Sequence, residues 1–235
     1  MITQTRARKK LDSTTVGNTE VPSRVAAPAT PYQALVQRLR AQGFGMPGGF
    51  QVVGFTSSSA GEGVTTVSVN VAVSAARSLG RPVLLIDAND SRPALASLFD
   101  INERGGFYDA LAGREGPSSG LVKLPIENLT LLTAGSAENR QMISYDPAVL
   151  RELLDAWRHE FDLILIDLPP AYEESPCFAL AGQLDGIVLV VAAGRARRAA
   201  VRRVKERLAA TRASVLGAVL NMRRWHLPEW LRRRT

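Results

Sequence analysis

A single cysteine, Cys177, leaves nothing from which to build an internal disulfide framework. The two histidines, His159 and His226, stand apart from other ligand-type residues, so their spacing does not suggest a metal site. A cytosolic protein without a metal cluster is expected. No apolar run approaches the length needed to span a bilayer, and Met1 to Lys10 carries basic residues without the apolar core of a signal peptide. Secretion by that route is not expected. Acidic residues are scarce toward the end of the chain, where thirteen Lys/Arg from Arg195 onward face only Glu206 and Glu229. Most of the net charge of +7 is therefore concentrated there, which points to anionic lipid, an acidic protein surface or nucleic acid, or to a solvated basic helix.

What is present is enough apolar material for a large core: 46% of 235 residues, suited to one domain with tails. Residues 1–29 are rich in Thr, Ser, Pro and charge without periodicity, and read as a disordered tail. Tyr32, Leu35, Val36 and Leu39 have helical spacing between Pro31 and Gln42, and Gly43 suits the helix end. Thr65 to Leu79 reads as a helix closed by Gly80, followed by an apolar strand from Pro82 to Asp87. Phe107–Leu111 and Pro147–His159 read as helices, and so does the stretch from about Ala199 to Thr211. Leu129–Thr133, Leu163–Asp167, Gly186–Val191 and Ser214–Leu220 read as strands. Continuous apolar strands alternating with helices predict an α/β fold, a doubly wound and mostly parallel sheet flanked by helices. The domain is expected to span residues 30–222, leaving 223–235 as a basic tail containing Trp225, Leu227, Trp230 and Leu231.

Ligands of such sheets bind beyond the carboxyl ends of the strands. Three strand ends carry suggestive chemistry. After the strand at Gln51 comes Ser58-Ser-Ala-Gly61-Glu62-Gly63-Val64-Thr65-Thr66, a small-residue loop opening a helix, whose successive N–H groups can cradle an anion. A phosphate loop asks for Gly-Lys-Ser/Thr, the lysine reaching the terminal phosphates and the hydroxyl binding Mg²⁺; Gly63 and Thr65 fit, but Val64 holds the lysine position. Asp87 and Asp167 end two further strands and could hold Mg²⁺ directly or through water, although a strand-end aspartate can equally be a turn or helix cap.

Taken in order, the loop Ala-Gly-Glu-Gly-Val-Thr-Thr, Ile-Asp-Ala-Asn-Asp-Ser-Arg-Pro, Gly-Gly-Phe-Tyr-Asp-Ala-Leu-Ala-Gly, Asn-Leu-Thr-Leu-Leu-Thr-Ala-Gly, Phe-Asp-Leu-Ile-Leu-Ile-Asp-Leu-Pro-Pro and Leu-Gly-Ala-Val-Leu-Asn form a specific set. Over about residues 30–222 the chain resembles the cytoplasmic kinase domain of the bacterial tyrosine kinases (BY-kinases) of capsule and exopolysaccharide assembly, relatives of the ParA/MinD-type deviant Walker ATPases. The resemblance implies ATP or ADP with Mg²⁺ as cofactors, Thr65 as the Mg²⁺ hydroxyl, Asp87 and Asp167 as the two Walker acids, and Asn221 as an adenine reader. It also implies a cytoplasmic location, peripheral at the inner face of the membrane, and a membrane co-polymerase or chain-length protein as partner.

Against that family, Val64 replaces the lysine, Asn89 replaces the second acid of Asp-x-Asp, and Leu168 stands where threonine is usual. The oligomer-forming Glu-x-x-Arg-x-x-Arg helix appears as Thr30, Gln33 and Val36, and no tyrosine follows Tyr172. A pseudokinase or weak ATPase is therefore expected, with oligomer formation not supported. Arg92 is the candidate catalytic cation, with Arg195, Arg197 and Arg198 also considered. The competing readings are an active kinase using such a substitute cation and a positioning ATPase of the ParA/MinD type. Nucleic acid is not the expected partner, whereas the basic tail is a candidate for an anionic membrane.

Overall fold

Val83–Asp87 and Leu163–Asp167, with every side chain buried, can only be central strands covered on both faces. The computed structural model, which describes residues 14–15, 29–46, 48–102, 105–140, 146–172, 175–211 and 213–223, places them side by side. The strands are β1 (Thr14–Thr15), β2 (Val52–Ser57), β3 (Val83–Asp87), β4 (Leu121–Lys123), β5 (Leu129–Leu132), β6 (Leu163–Asp167), β7 (Gly186–Ala192) and β8 (Val215–Asn221). Their order is β1-β4-β5-β3-β6-β2-β7-β8, with every neighbouring pair parallel except β4–β5.

Alternate residues of each strand feed two cores, as the two-residue period of a strand requires. Val53, Phe55, Leu85 and Leu165 meet helices α1 (Ala29–Ala41) and α2 (Val64–Leu79) through Val36, Leu39, Val67 and Val71. Val52, Leu84, Ile86 and Ile166 meet α4 (Phe107–Leu111), α6 (Pro147–Glu160), α7 (Cys177–Ala181) and α8 (Arg198–Ala210) through Phe107, Leu154, Trp157, Cys177 and Leu208. Each such aliphatic or aromatic side chain, fully buried, contributes roughly 1.5–3 kcal/mol. Two short helices, α3 (Leu95–Leu98) and α5 (Ala137–Arg140), complete the elements among the described residues.

Local chemistry sets the ends. Gly80 closes α2 in the left-handed conformation, its N–H donating to Ala76 O at 3.2 Å. Asp146 caps α6 by accepting from Ala148 N at 2.8 Å, with Pro147 in the first turn. Trp157 Nε1 donates to Pro117 O at 2.8 Å, tying α6 to the segment before β4.

Two readings of the N-terminal part need correction. The first helix begins at Ala29, two residues before Pro31. Within the stretch expected to be a disordered tail, Thr14 and Thr15 pair in parallel with Val122 and Lys123 at the sheet edge. A two-residue strand carries no periodicity of its own, and what recruits it is the free edge of β4. The rest of that stretch lies outside the described residues, as do residues 224–235 with the tryptophans of the basic tail. Among the described residues no helix is long and apolar enough to cross a membrane.

Candidate functional site

β2 ends at Ser57 and α2 begins at Val64, so the loop between them sits at the carboxyl edge of the central sheet. Two glycines make the turn: Gly61 has φ +78° and Gly63 has φ +87°, a region other residues enter only with strain. Gly63 also faces a neighbour, since a Cβ there would lie 2.3 Å from Asn221 Nδ2. Helix α2 has no side-chain cap, and its first hydrogen bond to the loop is Val67 N to Gly63 O at 3.1 Å. The N–H groups of Val64, Thr65 and Thr66 have no acceptor among the described residues, so the helix presents an open anion-binding end.

Beneath the loop the two acids are in register: Asp87 of β3 pairs with Asp167 of β6. Thr65 Oγ1 donates to Asp167 Oδ2 at 2.6 Å, while Asp167 Oδ1 is buried without a partner among the described residues. Burial foremost, and then the neighbouring Asp87 charge, push the Asp167 carboxyl up to about 8, against the opposing effect of the Thr65 and Ser68 hydroxyls. A dication would reverse both causes. The unfilled lone pairs of Asp167 Oδ1, the adjacent Thr65 hydroxyl and the hard-oxygen donor set fit Mg²⁺.

Asp87 is fully buried and also does the other job open to a strand-end aspartate. Its Oδ2 accepts from Ala94 N and Leu95 N at 2.9 Å each, and its Oδ1 accepts from Asn89 N at 3.1 Å. It therefore braces the turn that leads into α3. Asn89, in place of an acid, accepts from Arg92 N at 3.1 Å and Ser91 Oγ at 3.3 Å.

A cavity of about 490 Å³ lies at the loop, lined by Thr65 and Asn89 but by neither Asp87 nor Asp167. Gly61 to Thr65 of the loop, Asn89, Ser91 and Arg92 after β3, and Leu168, Pro170 and Tyr172 after β6 line it. Val64 lies partly buried against the α1/α2 core, so the position expected for a phosphate cation adds only apolar surface. Arg92 is exposed and is the one cation lining the cavity among the described residues; Arg195, Arg197 and Arg198 are exposed elsewhere.

Three expected ligand residues serve the loop's own architecture. Glu62, 4% exposed, accepts from Ser58 Oγ at 2.8 Å and Ala192 N at 3.3 Å, and its carbonyl accepts from Asn221 Nδ2 at 3.0 Å. Ser58, Glu62 and Asn221 thus fasten the loop to the ends of β7 and β8. Of the expected site residues, Ser58, Thr66, Asn221, Asp87 and Asp167 do not line the cavity. Sequence reasoning passed over Tyr172, whose one available signal was Pro169-Pro170, a rigid continuation of β6. That strap is pinned to β2, with Thr56 Oγ1 donating to Pro169 O at 2.7 Å and Ala171 N to Ser57 O at 2.8 Å.

A glycine loop joining a strand to an uncapped helix, with two in-register acids at neighbouring strand ends, defines the P-loop class of nucleotide-binding α/β proteins. Residues 50–196 match the AAA domain family model. The chain is 31% identical over 191 residues to the tyrosine-protein kinase CpsD of Streptococcus pneumoniae serotype 4, covering 81% of this chain and 82% of that protein. Among solved structures, the VpsO kinase domain aligns with a TM-score of 0.73 and 30% identity, covering 86% of this chain and 97% of that one. The septum site-determining protein MinD of Pyrococcus horikoshii, solved with Mg-ADP, aligns with a TM-score of 0.63 and 25% identity over 78% and 76% of the two chains. The chain belongs to the AAA-domain P-loop family, in the branch of the CpsD-type bacterial tyrosine kinases.

Proposed function

We propose that this protein is a BY-kinase-like nucleotide-binding regulator of capsular or exopolysaccharide synthesis or export, with little or no phosphoryl transfer of its own. The observation that carries the reading is the contrast within one site. Thr65, Asp87 and Asp167 keep the arrangement that suits Mg²⁺, while Val64 brings apolar surface where the terminal phosphates need a cation.

In this reading the N–H groups of Val64, Thr65 and Thr66 hold the phosphates of ATP or ADP. Thr65 and Asp167 hold Mg²⁺, with Asp87 acting through the turn it braces. When bound, the metal neutralises phosphate charge and polarises the transferring group. A charge-assisted hydrogen bond is worth about 1.5–3 kcal/mol, so absence of the lysine weakens binding by roughly ten- to a hundredfold. Transfer suffers more than binding, because charge spreading onto the moving group needs fixed cations.

The membrane co-polymerase partner, and a place at the inner face of the membrane, follow from the family resemblance. Exposed Arg92 on the cavity wall favours one alternative, an active kinase with a substitute cation. Turnover separates the two. Under saturating Mg·ATP the unmodified chain should transfer or hydrolyse at least about a hundredfold more slowly than its Val64→Lys variant. Equal rates in the two proteins, lost in Arg92→Ala, would establish the active kinase instead.

A further inference from the structure

The sheet ends at β8, and that edge is bare. β8 is last in the strand order, with no strand beyond it among the described residues. Edge strands are ordinarily blunted by charge, proline or brevity, because their free N–H and C=O groups invite another chain. Here Val-Leu-Gly-Ala-Val-Leu-Asn is seven residues long and carries neither charge nor proline. Leu220 and, just past the strand, Met222 are 58% and 45% exposed. Asn221 O accepts from Ala193 N at 2.8 Å, so the backbone of Asn221 turns toward β7. By the alternation of a parallel ladder, the N–H and C=O groups of Ala218 and Leu220 then point to the open side.

A cationic flank lies beside that edge. Helix α8 covers β7 and β8, with Val204 and Leu208 in the same core as Ile187, Leu189 and Val215. Arg207 stacks over the Phe178 ring at 4.3 Å, so that side of the helix faces α7. At 3.6 residues per turn, Arg198, Arg202 and Lys205 form a stripe on the opposite side, toward the β8 edge. All three are exposed, and Glu206, 3.5 Å from Arg202, is the single acid of the helix.

We propose that this α8/β8 edge is a docking site for an extended acidic segment of another protein, which adds to β8 as a further strand. The two features select different properties of the partner. The open row of backbone groups is completed by a polypeptide and not by lipid headgroups or nucleic-acid phosphates, while the stripe on α8 asks for carboxylates. Side chains of the added strand alternate between the faces of the sheet. Those on the α8 side reach Arg198, Arg202 and Lys205, and those on the other side lie beside Leu216 and Val219, which pack on the α1/α2 core. The pattern recognised is therefore acidic alternating with apolar. A second copy does not fit: two β8 strands paired antiparallel about a two-fold axis would lay their α8 helices side by side, cationic stripe against cationic stripe. Charge also disfavours the chain's own continuation from Arg223, which holds five arginines against Glu229. The proposal stands whether or not the loop holds nucleotide.

The test follows, by fluorescence anisotropy with the full chain, a labelled peptide of about four Val-Glu repeats. A Val-Lys peptide of the same length reverses its charge, and a Pro-Glu peptide keeps the charge but cannot complete a ladder. The expected result is saturable binding of the Val-Glu peptide, at least about tenfold weaker binding of the Pro-Glu peptide and none of the Val-Lys peptide. Amide exchange at Ala218 and Leu220, read by NMR, slows when the Val-Glu peptide binds. The Arg198→Glu/Arg202→Glu/Lys205→Glu variant should bind it at least about tenfold more weakly. Should that variant fail to fold, raising NaCl from about 50 to about 500 mM with the unmodified chain should weaken binding to a similar extent. Equal binding of the Val-Glu and Pro-Glu peptides, unchanged exchange at Ala218 and Leu220, or affinity indifferent to both the charge reversal and salt overturns the proposal. So does a chain that ignores the Val-Glu peptide and instead binds phosphatidylserine vesicles or duplex DNA through the same three residues.

Discussion

Replacing Asp167 by asparagine should stabilise the metal-free protein at alkaline pH and change little at acid pH. Asp167 is 1% exposed, faces Asp87 across the β3–β6 pair and leaves Oδ1 unpartnered. Its folded carboxyl is raised to about 8 from an ordinary 3.8, by burial first and by the Asp87 charge second. The native state therefore holds a proton that the unfolded chain releases, and this contribution to stability, present at low pH, is lost as pH climbs from about 4 to about 8. Each unit of displacement corresponds to about 1.4 kcal/mol. Asp87 and Asp167 titrate as a pair, and the loss amounts to about a few kcal/mol. Asparagine keeps an oxygen for the Thr65 hydroxyl and carries no charge. Urea unfolding in EDTA, at pH 5 and pH 8.5, should show the variant's advantage over wild type growing by about a few kcal/mol between the two pH values. Millimolar Mg²⁺ should then rescue wild type at pH 8.5 and leave the variant unmoved. A difference between the two proteins that does not change with pH would refute the reasoning.

Thr65→Val removes the 2.6 Å hydrogen bond to Asp167 while keeping the shape, and should reduce Mg²⁺-dependent ATP affinity by roughly tenfold with little effect on binding in EDTA. Gly63→Ala forces a side chain into φ +87° and against Asn221 Nδ2; a loss of about 1–2 kcal/mol in urea unfolding is expected, with a larger proportional loss of nucleotide binding. Asp109 accepts from Ser136 N, Ser136 Oγ and Asn139 Nδ2 at 3.0, 2.6 and 2.6 Å. Its burial alone would raise the carboxyl, but these bonds outweigh it and hold the group below its usual range. Asp109→Ala should therefore cost about 2–4 kcal/mol at neutral pH, and the gap should narrow as pH falls below about 4.

The large elements were legible because their signals are long. The continuous apolar runs at β3 and β6 and the full turns of α2 and α6 leave little alternative to a parallel sheet covered on both faces. Strand-end positions then brought Asp87, Asp167 and the loop together, since neighbouring parallel strands end on one edge. Less legible was anything shorter than the period that would reveal it, such as β1, β4, α3 and α5, each two to four residues long. Side-chain direction was equally hidden. Nothing local to Glu62 says that its carboxylate turns inward to Ala192 N, 130 residues away. Nor does Asp87 announce, in sequence, that its oxygens are engaged by the turn at Asn89 and the start of α3. Tyr172 reaches the cavity only because its strap is hydrogen-bonded to β2, a contact made across more than a hundred residues.

The central claim is that the loop binds nucleotide although its cation is missing, and calorimetric titration of Mg·ATP into the unmodified chain and into Val64→Lys tests it most directly. The account predicts saturable binding to both, tighter in the lysine variant by roughly ten- to a hundredfold. Equally tight binding to the two proteins would contradict the role given to position 64, and no binding to either would contradict the site itself.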